Sequence, residues 1–187
     1  MLKTGKKIFY VLWGFLLLYV LYCYLKNPEI LSANYIKSFI SSYKGHILTV
    51  YIIISLVRGF FLIPSTPFVI AGALLFPDNL LLVLLISMAG IMLSATALYY
   101  FSDILGFSEY LEKKYPSKVK KWENKLQSSR ATFLVLGWSF FPLVPTDIIC
   151  YVAGIVKMPY KYMFLGVFLG ELILTSFYIY SGTTVNL

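Results

Sequence analysis

Apolar positions in this chain come in long uninterrupted runs, and polar positions are confined to the gaps between them. Ile8–Leu25 is an 18-residue run without a charge, preceded by Lys3, Lys6 and Lys7 and closed by Lys26. That pattern predicts a first transmembrane helix with its N-terminus in the cytoplasm. A secretory leader would have a shorter apolar core and a small-residue cleavage site, and the run shows neither. Over 28–45, Ile30, Leu31, Tyr35, Ile36, Phe39 and Ile40 are interleaved with Ser32, Asn34, Lys37 and Ser38. This spacing predicts an amphipathic helix on the outer surface of the bilayer. His46, at its end, reads as a polar residue at the lipid boundary.

The next runs are broken. Ile47–Ile63 is apolar except for Ser55 and Arg58, and it meets Pro64 and Pro67; residues 68–76 are apolar again. Leu80–Phe101 is a full span, with Gly90 and Ser94 at a spacing that permits close helix packing in lipid. Residues 102–130 form the long polar segment, where Leu111, Tyr115, Val119, Trp122 and Leu126 make an amphipathic stripe. The expectation is a helical cytoplasmic loop on an anionic leaflet, or a solvated connector. Ala131–Phe141 then meets Pro142 and Pro145, Ile148–Val156 returns, and Tyr162–Tyr180 is the last span, with Gly166 and Gly170 on one face.

The two breaks resemble each other. Phe60-Phe61, Pro64, Pro67 and Ala71-Gly72 recur as Phe140-Phe141, Pro142, Pro145 and Ala153-Gly154. Proline lacks the amide donor and disfavours helix at the residue before it, so each pair predicts a helix break. Broken backbone at membrane depth is tolerated where it is buried in protein or lines a wet cavity. Corresponding breaks in two halves point to a transporter-like site. The predicted fold is an all-α polytopic membrane protein. It is an inverted-topology repeat of two opposed re-entrant helical hairpins, each followed by a transmembrane helix, plus an N-terminal transmembrane helix. Residues 1–45 hold the first helix and the interfacial helix. Residues 46–187 form the core: hairpin 47–76, span 80–101, loop 102–130, hairpin 131–157 and span 160–181.

Composition supports the membrane reading. Of 187 residues 59% are hydrophobic and 13% charged, against about a quarter charged in soluble domains. The net charge is +8. With re-entrant hairpins, twelve Lys and Arg fall inside, three outside and Arg58 in the membrane, a positive-inside bias rather than a nucleic-acid footprint. Cys23 and Cys150 imply no disulfide framework. One histidine excludes a His-based metal site or triad, and no nucleotide loop or metalloprotease motif is present, so neither an enzyme, a metal nor a cofactor is expected.

The candidate chemistry is a few ionisable residues in apolar segments. Asp147 directly follows Thr146 and the second break; it reads as a proton carrier or as a cap on the following helix. Arg58 faces either the cavity, where Asp147 or an anionic head group would pair with it, or the interface by snorkelling. Glu171 reads as an inward-facing group, either structural or in the transport path. Asp78 reads as a cap on the span beginning near residue 80.

Phe141-Pro142-Leu143-Val144-Pro145-Thr146-Asp147 with Tyr151-Val152-Ala153-Gly154 resembles the Pro-x-x-Pro-x-Asp…Tyr-x-Ala-Gly motif of the DedA superfamily, also called the SNARE-associated or VTT-domain family. Pro64 with Ala71-Gly72 is similar to its first motif, and Tyr99-Tyr100-Phe101 with Leu105-Gly106 to the end of its middle helix. The arginine that the family carries three residues before the motif's first proline falls on Ser139. The resemblance, over about residues 45–183, implies two opposed re-entrant loops and movement of lipid between leaflets.

The expected function is therefore a lipid transporter, a flippase or scramblase of phospholipid or polyprenyl phosphate. Its path would use Arg58, Pro64, Pro67, Gly72, Pro142, Pro145, Asp147, Gly154 and Glu171. Protons are open as co-substrates and a homo-oligomer as the assembly; no nucleic acid is expected. The alternatives are a proton- or cation-coupled carrier of a small solute and a non-transporting membrane scaffold. The short chain without targeting extensions leans to a bacterial plasma membrane.

Overall fold

The computed structural model describes residues 2–104, 113–114, 116–117, 120, 126, 130–141 and 145–182, with backbone only for residues 2–11, 60, 103, 104 and 182. Among the described residues there is helix and no strand. The amphipathic stripe expected over 102–130 lies largely outside them, as does Pro142 of the second break.

Among the described residues the helices with defined bounds are, in order, α1 Leu2–Lys26, α2 Ala33–Ser41, α3 Ile47–Val57, α4 Thr66–Leu75, α5 Leu80–Ile104, α6 Arg130–Phe140, α7 Thr146–Ile155 and α8 Tyr160–Gly182. Among the described residues two stretches are long and apolar enough to cross a bilayer, Pro77–Ser102 and Tyr160–Ser181. At 1.5 Å per residue the 25 residues of α5 reach about 37 Å, more than a hydrocarbon core of ~30 Å. The 10 or 11 residues of α3, α4, α6 and α7 reach only about 15 Å each.

The first break differs in detail from a simple double-proline break. After α3 the chain makes a 3-10 turn over Arg58–Phe61, and Leu62 then takes a left-handed conformation, φ 55°. Pro64 follows, but Pro67 lies inside the first turn of α4, where a missing amide hydrogen costs nothing. At the second break Pro145 is the extended residue from which α7 starts.

The packing crosses over between the two halves. The arm before each break lies on its own half's span. Thus α3 packs on α5, with Gly90 set against the Ser55 carbonyl oxygen, and α6 packs on α8. The arm after each break reaches the other half's span. α7 lies along α5, where Cys150 and Ala153 join Ile91, Ala95 and Leu98, and α4 meets α8 as well as α5. Glycines allow these approaches: a Cβ on Gly166 would stand 2.7 Å from Val135 Cβ, and one on Gly170 2.8 Å from the Leu136 carbonyl oxygen.

Helix α2 departs from the expected surface helix. Ser32 caps it by accepting the Tyr35 amide hydrogen at 3.2 Å. Its apolar face is not simply laid on lipid: Ile36 and Ile40 are buried in a core with Phe68 and Val69 of α4.

Candidate functional site

The two breaks converge. Arg58, Pro64, Ser65 and Thr66 from the first, and Phe141, Pro145, Thr146 and Asp147 from the second, line one cavity of about 120 Å³. Ile91 of α5 and Glu171 and Leu174 of α8 complete its wall. Among the described residues the buried charges, Arg58 and Glu171, and the half-buried Asp147 meet where the backbone is broken.

Each charge reaches the cavity for a local reason. Arg58 opens the 3-10 turn that ends α3, so its side chain leaves the helix where the chain turns back. It is 6% exposed, and its guanidinium Nη1 donates to the Ile63 carbonyl oxygen at 2.8 Å. The Arg58 carbonyl oxygen accepts the Ile63 amide hydrogen at 3.4 Å. The arginine therefore clasps the break from both its ends while presenting charge to the cavity. A buried guanidinium needs hydrogen-bond acceptors, and the Ile63 carbonyl oxygen supplies one.

Asp147 stands in the first turn of α7, where the helix dipole favours a negative group. Pro145, the residue before that turn, offers no side-chain acceptor to the terminus. Glu171 is 3% exposed in the middle of α8 and accepts a hydrogen bond from the Thr146 hydroxyl. The bond ties the last span to the tip of the second break. Both carboxylates act electrostatically on Arg58, which rests on the carbonyl of its own loop rather than in a tight pair with either acid.

The remaining residues of the predicted path separate into two groups. Pro64 and Pro145 line the cavity. Pro67 lines a neighbouring groove instead, and Pro142 lies outside the described residues. Gly72 and Gly154 stand at helix crossings. A Cβ on Gly72 would run into Tyr51 and stand 2.9 Å from Val83, and one on Gly154 would meet Ser102 and the Tyr99 carbonyl oxygen. The Ala-Gly repeats therefore serve packing and do not border the cavity. Asp78 is exposed in a 3-10 turn before α5.

Thr146, Ser65 and Thr66 were not singled out by sequence reasoning. The only sign of Thr146 was its place between Pro145 and Asp147, which sets its hydroxyl at a helix start facing the next buried acid. Ser139, where the family motif has its arginine, is fully buried with no hydrogen-bond partner for its hydroxyl among the described residues. It backs onto Gly170, whose added Cβ would stand 2.8 Å from Ser139 Cβ.

Long apolar helices, shorter broken ones and charges collected at the breaks define an integral membrane protein built around an internal polar site. Its sequence places it further: the VTT domain family model matches residues 63–184, and the chain belongs to this DedA-type family. It is 29% identical over 171 residues to a Transmembrane protein 41 homolog of Caenorhabditis elegans, a match covering 87% of this chain and 68% of that one. No solved structure matches it.

Proposed function

We propose that the protein moves lipid head groups between membrane leaflets, as a flippase or scramblase of phospholipid or polyprenyl phosphate. The observation that carries this reading is the cavity in which both breaks, Arg58 and two acids meet. A phosphate entering it would meet the Arg58 charge and the amide hydrogens at the starts of α4 and α7. Asp147 and Glu171 would balance the arginine when the site is empty and loosen their hold when an anion displaces them.

The topology that goes with this function is two re-entrant hairpins, α3–α4 and α6–α7, entering from opposite faces. Arms of about 15 Å reach only to the midplane of a ~30 Å core, which supports it. The N-terminus is assigned to the cytoplasm and the protein to a bacterial plasma membrane. A second reading, a proton- or cation-coupled carrier of a small solute, is favoured by the buried Glu171 and half-buried Asp147 beside one cation.

The test is reconstitution in liposomes with a head-group-labelled phospholipid and a membrane-impermeant reductant. Bleaching past the outer-leaflet half in wild type, lost in Asp147→Asn, is the expected result. Bleaching that stops at half for a labelled phospholipid and for a labelled polyprenyl phosphate alike would refute lipid movement. Transport that vanishes when an imposed pH gradient is collapsed would move the assignment to the coupled carrier.

A further inference from the structure

A second space adjoins the charged cavity. It is a groove of about 550 Å³ between α1 and the first break. Leu17, Val20, Leu21 and Tyr24 of α1 form one wall, and Phe61, Leu62 and Ile63 the other. Pro28, Leu31 and Ser32 close the end where α1 meets α2. Pro64 borders both this groove and the cavity. The partition between them is one stretch of backbone: Ile63 lines the groove while its carbonyl oxygen accepts from Arg58.

The two spaces suit the two ends of one amphiphile. The cavity, about 120 Å³, holds a cation, two acids and hydroxyls, but has no room for a hydrocarbon chain. The groove is large enough for a chain segment, and its walls at the Pro64 end are wholly apolar. Among the described residues that line it, the polar side chains are Tyr24, near the end of α1, and Ser32, the cap of α2. Leu62, in its left-handed conformation, lines the groove. A branched or long side chain held there is a conformation that surrounding structure must enforce, as at ligand clamps. Helix α1 touches the core at the Arg58–Phe61 turn, and Trp13 near its start packs edge-on to Phe101 of α5 at 5.2 Å.

We propose that the groove is the chain-binding half of a lipid site: one hydrocarbon chain of a phosphate-bearing lipid lies between α1 and Phe61–Pro64 while its head group occupies the Arg58 cavity. This rests on the lipid reading above and adds that α1, which precedes the segment matched by the family model, is part of the substrate site. It further requires that the chain accompany the head group into the protein instead of remaining in the bilayer.

The experiment uses the full-length protein in nanodiscs with phosphatidic acid that carries a photoreactive diazirine on one acyl chain. Label is expected on the Leu17, Val20, Leu21 and Tyr24 face of α1, and excess unlabelled phosphatidic acid should remove it where equal phosphatidylcholine does not. In liposomes Leu21→Trp, which fills the groove, should slow head-group movement about tenfold or more, equivalent to ~1.4 kcal/mol of barrier. Leu18→Trp, on the outward face of the same helix, should not. Label spread evenly around α1, or removed equally by both lipids, marks ordinary bilayer lipid and overturns the chain site. So does unimpaired movement in Leu21→Trp, and in that case the head-group reading stands. If wild type moves no lipid at all, that reading falls, and the competed label alone still decides whether a chain is bound.

Discussion

Replacing Arg58 by methionine tests whether the cavity is held together by charge. Methionine keeps most of the apolar stem and removes the guanidinium, so the change is electrical more than steric. Two losses follow. The Ile63 carbonyl oxygen loses a charged donor at 2.8 Å inside a buried loop, worth about 1–3 kcal/mol. Asp147 and Glu171 then share a cavity of about 120 Å³ with no nearby cation, and breaking such a buried arrangement from one side costs ~3–5 kcal/mol in total. For a chain of this size, about 2–4 °C is lost per kcal/mol, so the midpoint of thermal unfolding in detergent should fall by roughly 6–20 °C. The cycle is closed with Glu171→Gln. In wild type that change removes an acid that balances Arg58 and should destabilise. In the Arg58→Met background it removes one of two uncompensated acids and should cost less or restore stability, a coupling of about 0.5–3 kcal/mol. A loss below ~1 kcal/mol for Arg58→Met, or an identical cost of Glu171→Gln in both backgrounds, would refute the charge-balanced cavity.

Two further substitutions probe the frame around it. Gly170→Ala puts a methyl 2.8 Å from the Leu136 carbonyl oxygen and should cost about 1–3 kcal/mol as α6 and α8 are forced apart. Gly137→Ala, which meets nothing within 4 Å, should stabilise by up to ~1 kcal/mol; thermal midpoints in the same order for both would remove the close crossing. Thr146→Val strands the buried Glu171 oxygen and should cost ~1–3 kcal/mol, whereas Thr146→Ser should cost less, and equal losses would show that the hydroxyl is not what matters.

The parts of the site legible in sequence were those that violate the apolar background. Arg58, Asp147 and Glu171 stand out because a charge in such a run needs a reason, and Pro64 and Pro145 stand where the backbone is out of the helix. What could not be read was which faces meet. Helices α5 and α8 are apolar nearly all round, so they carry no stripe from which to infer that α7 lies along α5 while α6 lies along α8. The same lack of directional signal hid the docking of Ile36 and Ile40 of α2 onto α4. Gly72 and Gly154 were read as part of the path and stand at helix crossings; a glycine at a break and a glycine at a crossing look alike until the neighbour is known. Arg58's bond to the Ile63 carbonyl oxygen was also hidden, since it depends on the left-handed turn at Leu62.

The exchange of arms between halves has a consequence for biosynthesis. Helix α4 needs α8 for part of its burial, and α8 is the last helix described, so the first half cannot reach its final packing while the second is unmade. Splitting the chain in the polar segment between α5 and α6 should give two fragments that are each incompletely packed alone and that recover by assembling together. The early helices must wait in the membrane, with the charged tip of the first break exposed, until translation supplies their partner.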